Sequence, residues 1–172
     1  MTTALKYVLA ITGIILIIGF ILPQEYALER KISINASPAD IHVFVGDLEK
    51  WPAWTPWQKT DPTIKTTMGE KHTGKGASQS WHGESGSGEL TFTHSSPEKG
   101  ISYDMIFDGE FPASSDMVYQ VDGPTTTVIW KMNGENTWPV VGGYMSLMMD
   151  SMVGPMFDDG LSNLKKVVES KN

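Results

Sequence analysis

Apolar residues recur at three- and four-residue intervals through the last third of the chain. This spacing predicts one long helix from Gly142 to Glu169, because residues three and four apart share a helical face. Tyr144 and the methionines of the first half fall in one sector of that helix. Pro155 predicts a kink, since proline lacks a backbone N–H. The pattern therefore predicts a buried face. It leaves open whether that face packs into an ordinary core or forms one wall of a ligand cavity.

Short runs of alternating apolar and polar residues precede this helix, and such alternation is typical of half-buried strands. A first strand is predicted at Leu28–Asn35. Six more, separated by turn residues, are predicted at Ile64–Met68, Gly76–His82, Glu89–His94, Ile101–Phe107, Ser115–Val121 and Thr125–Met132. In the later strands one face is apolar and the other mostly polar. We therefore expect an antiparallel sheet with a single covered face.

A helix is predicted between the first strand and the others. Ser37 is a suitable N-cap, Pro38 suits the first helical position, and apolar residues then continue at helical spacing to about Lys50. The segment from Trp51 to Trp57 follows, with three tryptophans and two prolines that cannot continue a regular helix. It predicts either a hydrophobic plug at one end of the core or the rim of a pocket.

Residues 5–22 form the most apolar stretch of the chain and are long enough to span a bilayer. The stretch ends at Pro23 without the small-residue cleavage site of a signal peptide, so a retained single-pass membrane anchor is predicted. We expect residues 1–26 to be anchor and tether, and residues 27–172 to be one domain. Lys6 on one side and Arg30 with Lys31 on the other do not decide the orientation. We expect the domain on the extracytoplasmic side, as is common for uncleaved signal-like anchors.

Composition excludes several functions. The net charge is −7 and basic residues are not clustered, so nucleic acid is not expected as a partner. With no cysteine, the chain has no disulfide, thiolate metal site or cysteine nucleophile. The four histidines lack metal-ligand spacing, so no metal or cofactor is predicted. His94, expected to share a face with Leu90 and Phe92, and His82, expected near a cavity mouth, are the candidates for acid–base chemistry, but no catalytic residue is assigned.

Several motifs together carry a resemblance to a known superfamily. They are Ser37-Pro38-Ala39-Asp40, the Trp51–Trp57 segment, Gly74-Lys75-Gly76-Ala77, Phe107-Asp108-Gly109, and Met152-Val153-Gly154-Pro155-Met156-Phe157. With them, the chain after the anchor resembles the START-like (SRPBCC, helix-grip) superfamily, in its polyketide cyclase/dehydrase and lipid-transport branch. The resemblance implies an α+β fold, in which a curved antiparallel sheet wraps on a long kinked C-terminal helix. It also implies a deep hydrophobic cavity that binds lipids, sterols or polyketides.

The sequence thus favours a membrane-anchored domain that binds a hydrophobic small molecule or lipid, and it leaves protein partners unknown. The predicted cavity wall is Trp54, Trp57, Trp81, Phe92, Tyr103, Phe107, Tyr119, Trp130, Tyr144, Met148 and Met152. Two alternatives remain. One is a cyclase- or dehydrase-like enzyme that uses a histidine or tyrosine as its acid or base. The other is an interaction or stress-response module whose cavity is filled by side chains.

Overall fold

A seven-stranded antiparallel sheet and a long C-terminal helix form most of the chain. The computed structural model describes residues 3–170. In chain order, its elements are α1 (Thr3–Ile21), β1 (Glu25–Ile34), α2 (Pro38–Val45), a 3-10 helix (Leu48–Ala53), α3 (Trp57–Thr60), β2 (Lys65–Met68), β3 (Ser78–Gly83), β4 (Gly86–Ser96), β5 (Gly100–Phe107), β6 (Phe111–Asp122), β7 (Thr125–Glu135) and α4 (Val141–Glu169).

The strand order in the sheet is β1-β7-β6-β5-β4-β3-β2, and neighbouring strands are antiparallel. The predicted α+β helix-grip architecture is confirmed. The strands are longer than predicted at several ends: β1 begins at Glu25 instead of Leu28, and β6 begins at Phe111 instead of Ser115. Glu25 and Tyr26, assigned from the sequence to the tether, therefore already belong to the sheet.

A bulge in β4 changes the predicted face of one histidine. Phe92 pairs with Tyr103, but His94 pairs with Ser102, so the register shifts between Phe92 and His94. The extra residue reverses the alternation, and His94 is exposed. The expectation that His94 shares the buried face of Phe92 is therefore wrong.

The first helix of the domain is shorter than predicted. Ser37 caps α2 by accepting a hydrogen bond from the Asp40 N–H at 3.3 Å, as expected. The helix nevertheless ends at Val45, followed by Gly46, instead of reaching Lys50. The His42 imidazole lies against Gly46, where a Cβ atom would collide with it. Asp47 then caps the 3-10 helix, which contains Trp51 and Pro52.

The helix α4 runs alongside β1 in the same direction. Ser146 donates a hydrogen bond to the Gln24 carbonyl near the start of both elements. Near their ends, Lys165 donates to the Ser33 carbonyl at 2.7 Å. The helix is continuous through Pro155 and covers 29 residues.

The predicted buried methionine face of α4 is wrong. Met145, Met148 and Met152 are 38%, 54% and 48% exposed. The buried residues of this half are small: Gly142, Gly143, Ser146 and Gly154. Gly143 lies against Leu22 and Gly154 against Arg30, and a Cβ atom at either glycine would collide with that neighbour. Close approach through small residues therefore places these three methionines on the opposite face.

The N-terminal helix α1 is 19 residues long with a mean hydropathy of 2.3, sufficient by length and composition to cross a membrane. A signal sequence would have the same properties. Anchoring, sidedness and the division at residues 26 and 27 therefore stay predictions.

Candidate ligand-binding face of the sheet

One half of the sheet's inner face is closed by a cluster of aromatic rings. Trp54 packs edge-on against Trp130 with ring centres 5.5 Å apart, and Phe157 of α4 stacks on Trp130 at 3.8 Å. The members, each at most 3% exposed, are Trp51, Trp54, Phe92, Tyr103, Trp130 and Phe157. Four predicted wall residues, Trp54, Phe92, Tyr103 and Trp130, are brought together here. They form packed core, because side chains occupy the space between sheet and helix.

The polar side-chain atoms of this cluster are hydrogen-bonded, and the indole N–H groups of Trp51 and Trp54 donate to the Val45 and Phe44 carbonyls. Trp130 Nε1 donates to Tyr103 Oη and to Ser115 Oγ, both at 3.0 Å. Ser115 in turn donates to the Lys131 carbonyl at 2.6 Å. Burial raises the pKa of Tyr103 to about 12, so its hydroxyl stays protonated at neutral pH. The Tyr103 hydroxyl is already engaged within the core, and contact of this predicted wall residue with a ligand stays a prediction.

Tyr119 lies near the end of the sheet where β1 ends, close to α2. His42 Nδ1 is 3.2 Å from Tyr119 Oη, and His42 Nε2 is 3.1 Å from Ser95 Oγ. Burial raises the pKa of Tyr119 and lowers that of His42, since both charged forms lose solvation. Both groups are therefore neutral near pH 7 and hold α2 to the sheet. His42 is within hydrogen-bonding distance of the buried Tyr119, and the sequence pattern, which pointed to His94 and His82, did not find it.

The other half of the inner face, near the start of β1, is open. Strand register places Tyr26, Gly134, Ala113, Met105 and Leu90 in one row across five strands. In the next row, Phe107, Gly88 and Trp81 are neighbours. We call these two rows the open rows.

Four large side chains in the open rows are only partly buried, whereas Leu90 is buried. Tyr26, Trp81, Met105 and Phe107 all keep solvent-exposed surface. Trp81 lies across Gly88 and packs edge-on against Phe107, with ring centres 5.6 Å apart. The open rows thus form a partly exposed apolar surface on the concave side of the sheet, which is suited to an apolar ligand.

The two best-defined pockets of the described residues are open grooves. The larger, of about 820 Å³, follows β1, β7, β6 and β5 and includes Tyr26, Met105, Ala113 and Gly134 of the open rows. Its remaining lining is mostly polar: Glu25, Asp104, Ser114, Asn133 and Glu135, with Pro23, Ala27 and Pro112. The smaller, of about 580 Å³, lies near His82 at the β3–β4 turn. Neither matches the deep apolar cavity that the resemblance implied.

Tyr26 places a hydroxyl group in the otherwise mostly apolar open rows. Its ring lies over Gly134, and burial raises its pKa. No hydrogen-bond partner for this hydroxyl occurs among residues 3–170, and it is not fully enclosed. It can therefore donate to, or accept from, a ligand that lies on the open rows. Tyr26 was missed from the sequence, although its even-numbered spacing from Leu28 and Ile34 placed it on the same face.

The remaining predicted wall residues lie elsewhere. Trp57 is partly buried beside Trp130, with ring centres 6.3 Å apart. Tyr144, Met148 and Met152 belong to the first half of α4, where the tyrosine hydroxyl bonds to the Ile15 carbonyl of α1. These residues are not brought together with the open rows, and their contact with a ligand stays a prediction.

One cluster on the described surface has metal-ligand chemistry. Donor atoms of Asp47, Glu49 and His72 lie within 4.8 Å of one another. Asp47 already accepts from the Glu49 N–H at the 3-10 helix start, and His72 Nδ1 is 2.9 Å from its carboxylate. Lys50 Nζ lies 3.5 Å from Asp47 as well. The cluster is therefore explained as a helix cap with its ion pairs.

Comparison with known proteins identifies the family. The family model for polyketide cyclase/dehydrase and lipid transport matches residues 26–169. The chain belongs to the polyketide cyclase/dehydrase and lipid transport family. The matched region begins at Tyr26 and includes both the packed cluster and the open rows. No curated protein matches the chain.

Solved structures share the family fold at low sequence identity. The KanY protein is 17% identical with a TM-score of 0.64, and the alignment covers 84% of this chain and 98% of that one. A protein from Thermobifida fusca is 20% identical with a TM-score of 0.61, covering 83% and 92%. A protein from Thermus thermophilus, TTHA0849, is 18% identical with a TM-score of 0.58, covering 86% and 99%. At these identities the likeness concerns the fold alone.

Proposed function

We propose that this family member is anchored in a membrane through residues 5–22 and binds one hydrophobic small molecule or lipid on the open rows. The observation that carries the proposal is the incomplete cover of the sheet. Phe157 and the tryptophans close one half of its inner face, while Tyr26, Met105 and Trp81 remain partly exposed in the other half.

The chemistry of the open rows suits a ligand with an apolar body and one polar group. Each Å² of apolar surface removed from water contributes about 25 cal/mol, so a chain or ring system laid along Met105, Phe107 and Trp81 would be held mainly by burial. The small residue Ala113 lies between Met105 and Gly134, and the Tyr26 ring lies over Gly134. The Tyr26 hydroxyl would then pair with the polar group of the ligand.

The position of the open rows supports a ligand that comes from a bilayer. They lie at the end of the sheet where β1 begins, four residues after α1 ends at Ile21. Apolar molecules concentrate in membranes, so a site beside the anchor would meet its ligand there. The hydrogen-bonded pair His42 and Tyr119, which an enzyme mechanism would use, lies at the opposite end.

Photocrosslinking of the full chain in nanodiscs tests the proposal. A diazirine-bearing fatty acid is the probe, and peptide mass spectrometry locates the attachment. We expect labels within residues 24–27, 79–83 and 103–107 that unlabelled fatty acid suppresses. Labels confined to α1, unaffected by competitor, would contradict ligand binding.

A matched pair of variants tests whether the labelling depends on the open rows. Trp81→Ala removes a large part of the open rows, whereas His82→Ala changes the exposed neighbour on the opposite face. We expect the first variant to lose most of the competed labelling at residues 103–107 and the second to retain it. Equal labelling in both variants would place the ligand elsewhere.

A further inference from the structure

The first half of α4 presents an apolar surface that no described residue covers. Its exposed members are Val141, Met145, Leu147, Met148 and Met152, and Trp138 lies half-exposed just before the helix. The stretch from residue 136 to residue 149 contains no charged side chain. Exposed apolar patches of this kind mark surfaces that contact a partner or a membrane.

This half of α4 packs directly on the apolar helix α1. Tyr144 Oη donates to the Ile15 carbonyl at 2.8 Å. Gly19 lies against Val140 and Tyr144, and Gly143 lies against Leu22, each too closely for a Cβ atom at the glycine. Small residues at such contacts are typical of helix pairs within membranes, because they let the backbones approach closely.

The contacts set the depth of α4 relative to α1. Ile15 precedes Leu22 by seven residues, which corresponds to about 10 Å along a helix. Tyr144 of α4 therefore contacts α1 well before the C-terminal end of α1. If residues 5–22 lie in a bilayer, the first turns of α4 lie at the same depth as the last turns of α1.

We infer that the segment from Trp138 to Met152 is inserted into the membrane beside α1, with lipid covering its exposed methionines. This inference rests on the proposed membrane anchoring. Methionine and leucine gain from transfer into hydrocarbon, and Trp138 suits the boundary with the headgroups. Asp150 is the first charged residue of the helix, and it faces Arg30 at 2.9 Å, so it does not face lipid unpaired.

The backbone at the start of α4 is also suited to lipid, where unpaired N–H groups are costly. Val140 has φ of 67°, and this turn lets the Val141 N–H bond to the Pro139 carbonyl at 2.7 Å. The Gly142 N–H bonds to the Trp138 carbonyl at 2.8 Å. The preceding loop therefore satisfies the first two N–H groups without water or a side-chain cap.

Insertion of this segment would place the open rows next to lipid. Ser146 bonds to the Gln24 carbonyl, and Tyr26, the first residue of the open rows, follows two positions later. A lipid leaving the bilayer along α4 would reach the open rows without crossing bulk water. The anchor and α4 together form the entrance to the site.

Depth-dependent fluorescence quenching tests the inference on the full chain in phosphatidylcholine nanodiscs. The chain has no cysteine, so Met148→Cys, Ile17→Cys and Val121→Cys each provide one labelling site for bimane. All three residues are exposed; Ile17 lies on α1, and Val121 lies at the far end of the sheet, opposite Thr126. Quenching by doxyl-labelled lipid is then compared among them.

We expect Met148→Cys to be quenched to an extent comparable with Ile17→Cys, and Val121→Cys to be unaffected. Quenching of Ile17→Cys without quenching of Met148→Cys would overturn insertion of α4 while leaving the anchor intact. A label at residue 148 that is shielded from water yet unquenched would point to a protein cover, such as a second copy of the chain, and would also overturn it. Absence of quenching at residue 17 would contradict both the proposed anchor and this inference.

Discussion

The guanidinium of Arg30 on β1 lies against the backbone of Gly154 on α4, between two carboxylates one helical turn away on either side. Arg30 Nη1 is 2.9 Å from Asp150 Oδ1, and Arg30 Nε is 3.1 Å from Asp158 Oδ2. A Cβ atom at residue 154 would collide with the guanidinium. This contact joins the edge of the sheet to the middle of the helix.

Gly154→Ala is expected to destabilise the protein, although helix propensity alone favours alanine by about 1 kcal/mol. The added methyl group must displace a guanidinium that is held by two ion pairs. We therefore expect a net loss of about 1 kcal/mol in the free energy of unfolding. Urea unfolding of the full chain in detergent, followed by circular dichroism, measures it.

The control is the same substitution in an Arg30→Ala background. Without the guanidinium the methyl group has room, so alanine should then stabilise the protein by up to about 1 kcal/mol. A stabilising effect of similar size in both backgrounds would show that Arg30 does not restrict residue 154.

Tyr103 and Ser115 share the indole N–H of Trp130, so their loss should be non-additive. Tyr103→Phe or Ser115→Ala leaves that donor one acceptor, and each should cost about 1 kcal/mol. The double variant leaves a buried N–H unpaired, so it should lose about 1–2 kcal/mol beyond the sum. Chemical unfolding of the four proteins provides the comparison. Strict additivity would mean that Trp130 finds another acceptor.

Stability should fall in mild acid because of His42. Burial lowers the folded-state pKa of His42, with Glu98 opposing the shift and His94 adding to it. The unfolded chain therefore binds its proton first, from 6.5 downwards, and folding weakens as the pH falls through this window. Urea unfolding from pH 7 to pH 5 should show a steeper loss for the native chain than for His42→Asn.

His72 provides a control of opposite sign. Its hydrogen bond with Asp47 raises the pKa of His72, so its contribution is present below 6.5 and is lost as the pH rises through the raised value. His72→Asn should therefore lose stability relative to the native chain on the acid side. Identical pH profiles for the His42 variant and the native chain would contradict the role given to burial.

Tyr26→Phe separates binding from folding. The hydroxyl has no partner among the described residues, so its removal should leave the unfolding midpoint unchanged. A ligand whose polar group pairs with that hydroxyl should bind about threefold to tenfold more weakly, as for one lost hydrogen bond. Competition against the photocrosslinked fatty acid measures the ratio. An unchanged affinity would show that the ligand's polar group lies elsewhere.

The strand pattern predicted the sheet well, because alternation depends on local side-chain placement. Val128, Trp130 and Met132 of β7 are all buried on one face, as expected. The bulge before His94 could not be predicted, since it depends on pairing with Ser102 of the next strand. One inserted residue was enough to move a candidate acid–base group to the solvent-exposed face.

The error on α4 has a different cause. Helical periodicity separates faces, but it does not say which face meets the rest of the protein. The methionine face is the more apolar one, yet Gly143 and Gly154 allow α1 and Arg30 to approach so closely that the glycine face is buried. In a membrane the expectation is reversed, because there the apolar face of a helix is expected to contact lipid.

The candidate site was only half predictable. Trp81 and Phe107 were expected on the ligand-facing wall and lie in the open rows, whereas Trp130 was expected there and packs against Phe157. Large aromatic residues have the same pattern in a core and in a pocket. Only the three-dimensional structure, which shows what covers each side chain, distinguishes a core position from a pocket position.

The division of the sheet's inner face affects how the selectivity of the proposed binding site can change. Stability is concentrated around Trp130, while Tyr26, Met105, Phe107 and Trp81 already contact solvent and contribute less to it. Substitutions at those four positions can therefore alter shape and polarity at small energetic cost, since partly exposed sites tolerate change better than a packed core. The selectivity of the proposed site can therefore change, or be redesigned for another ligand, without changes in the packed core around Trp130.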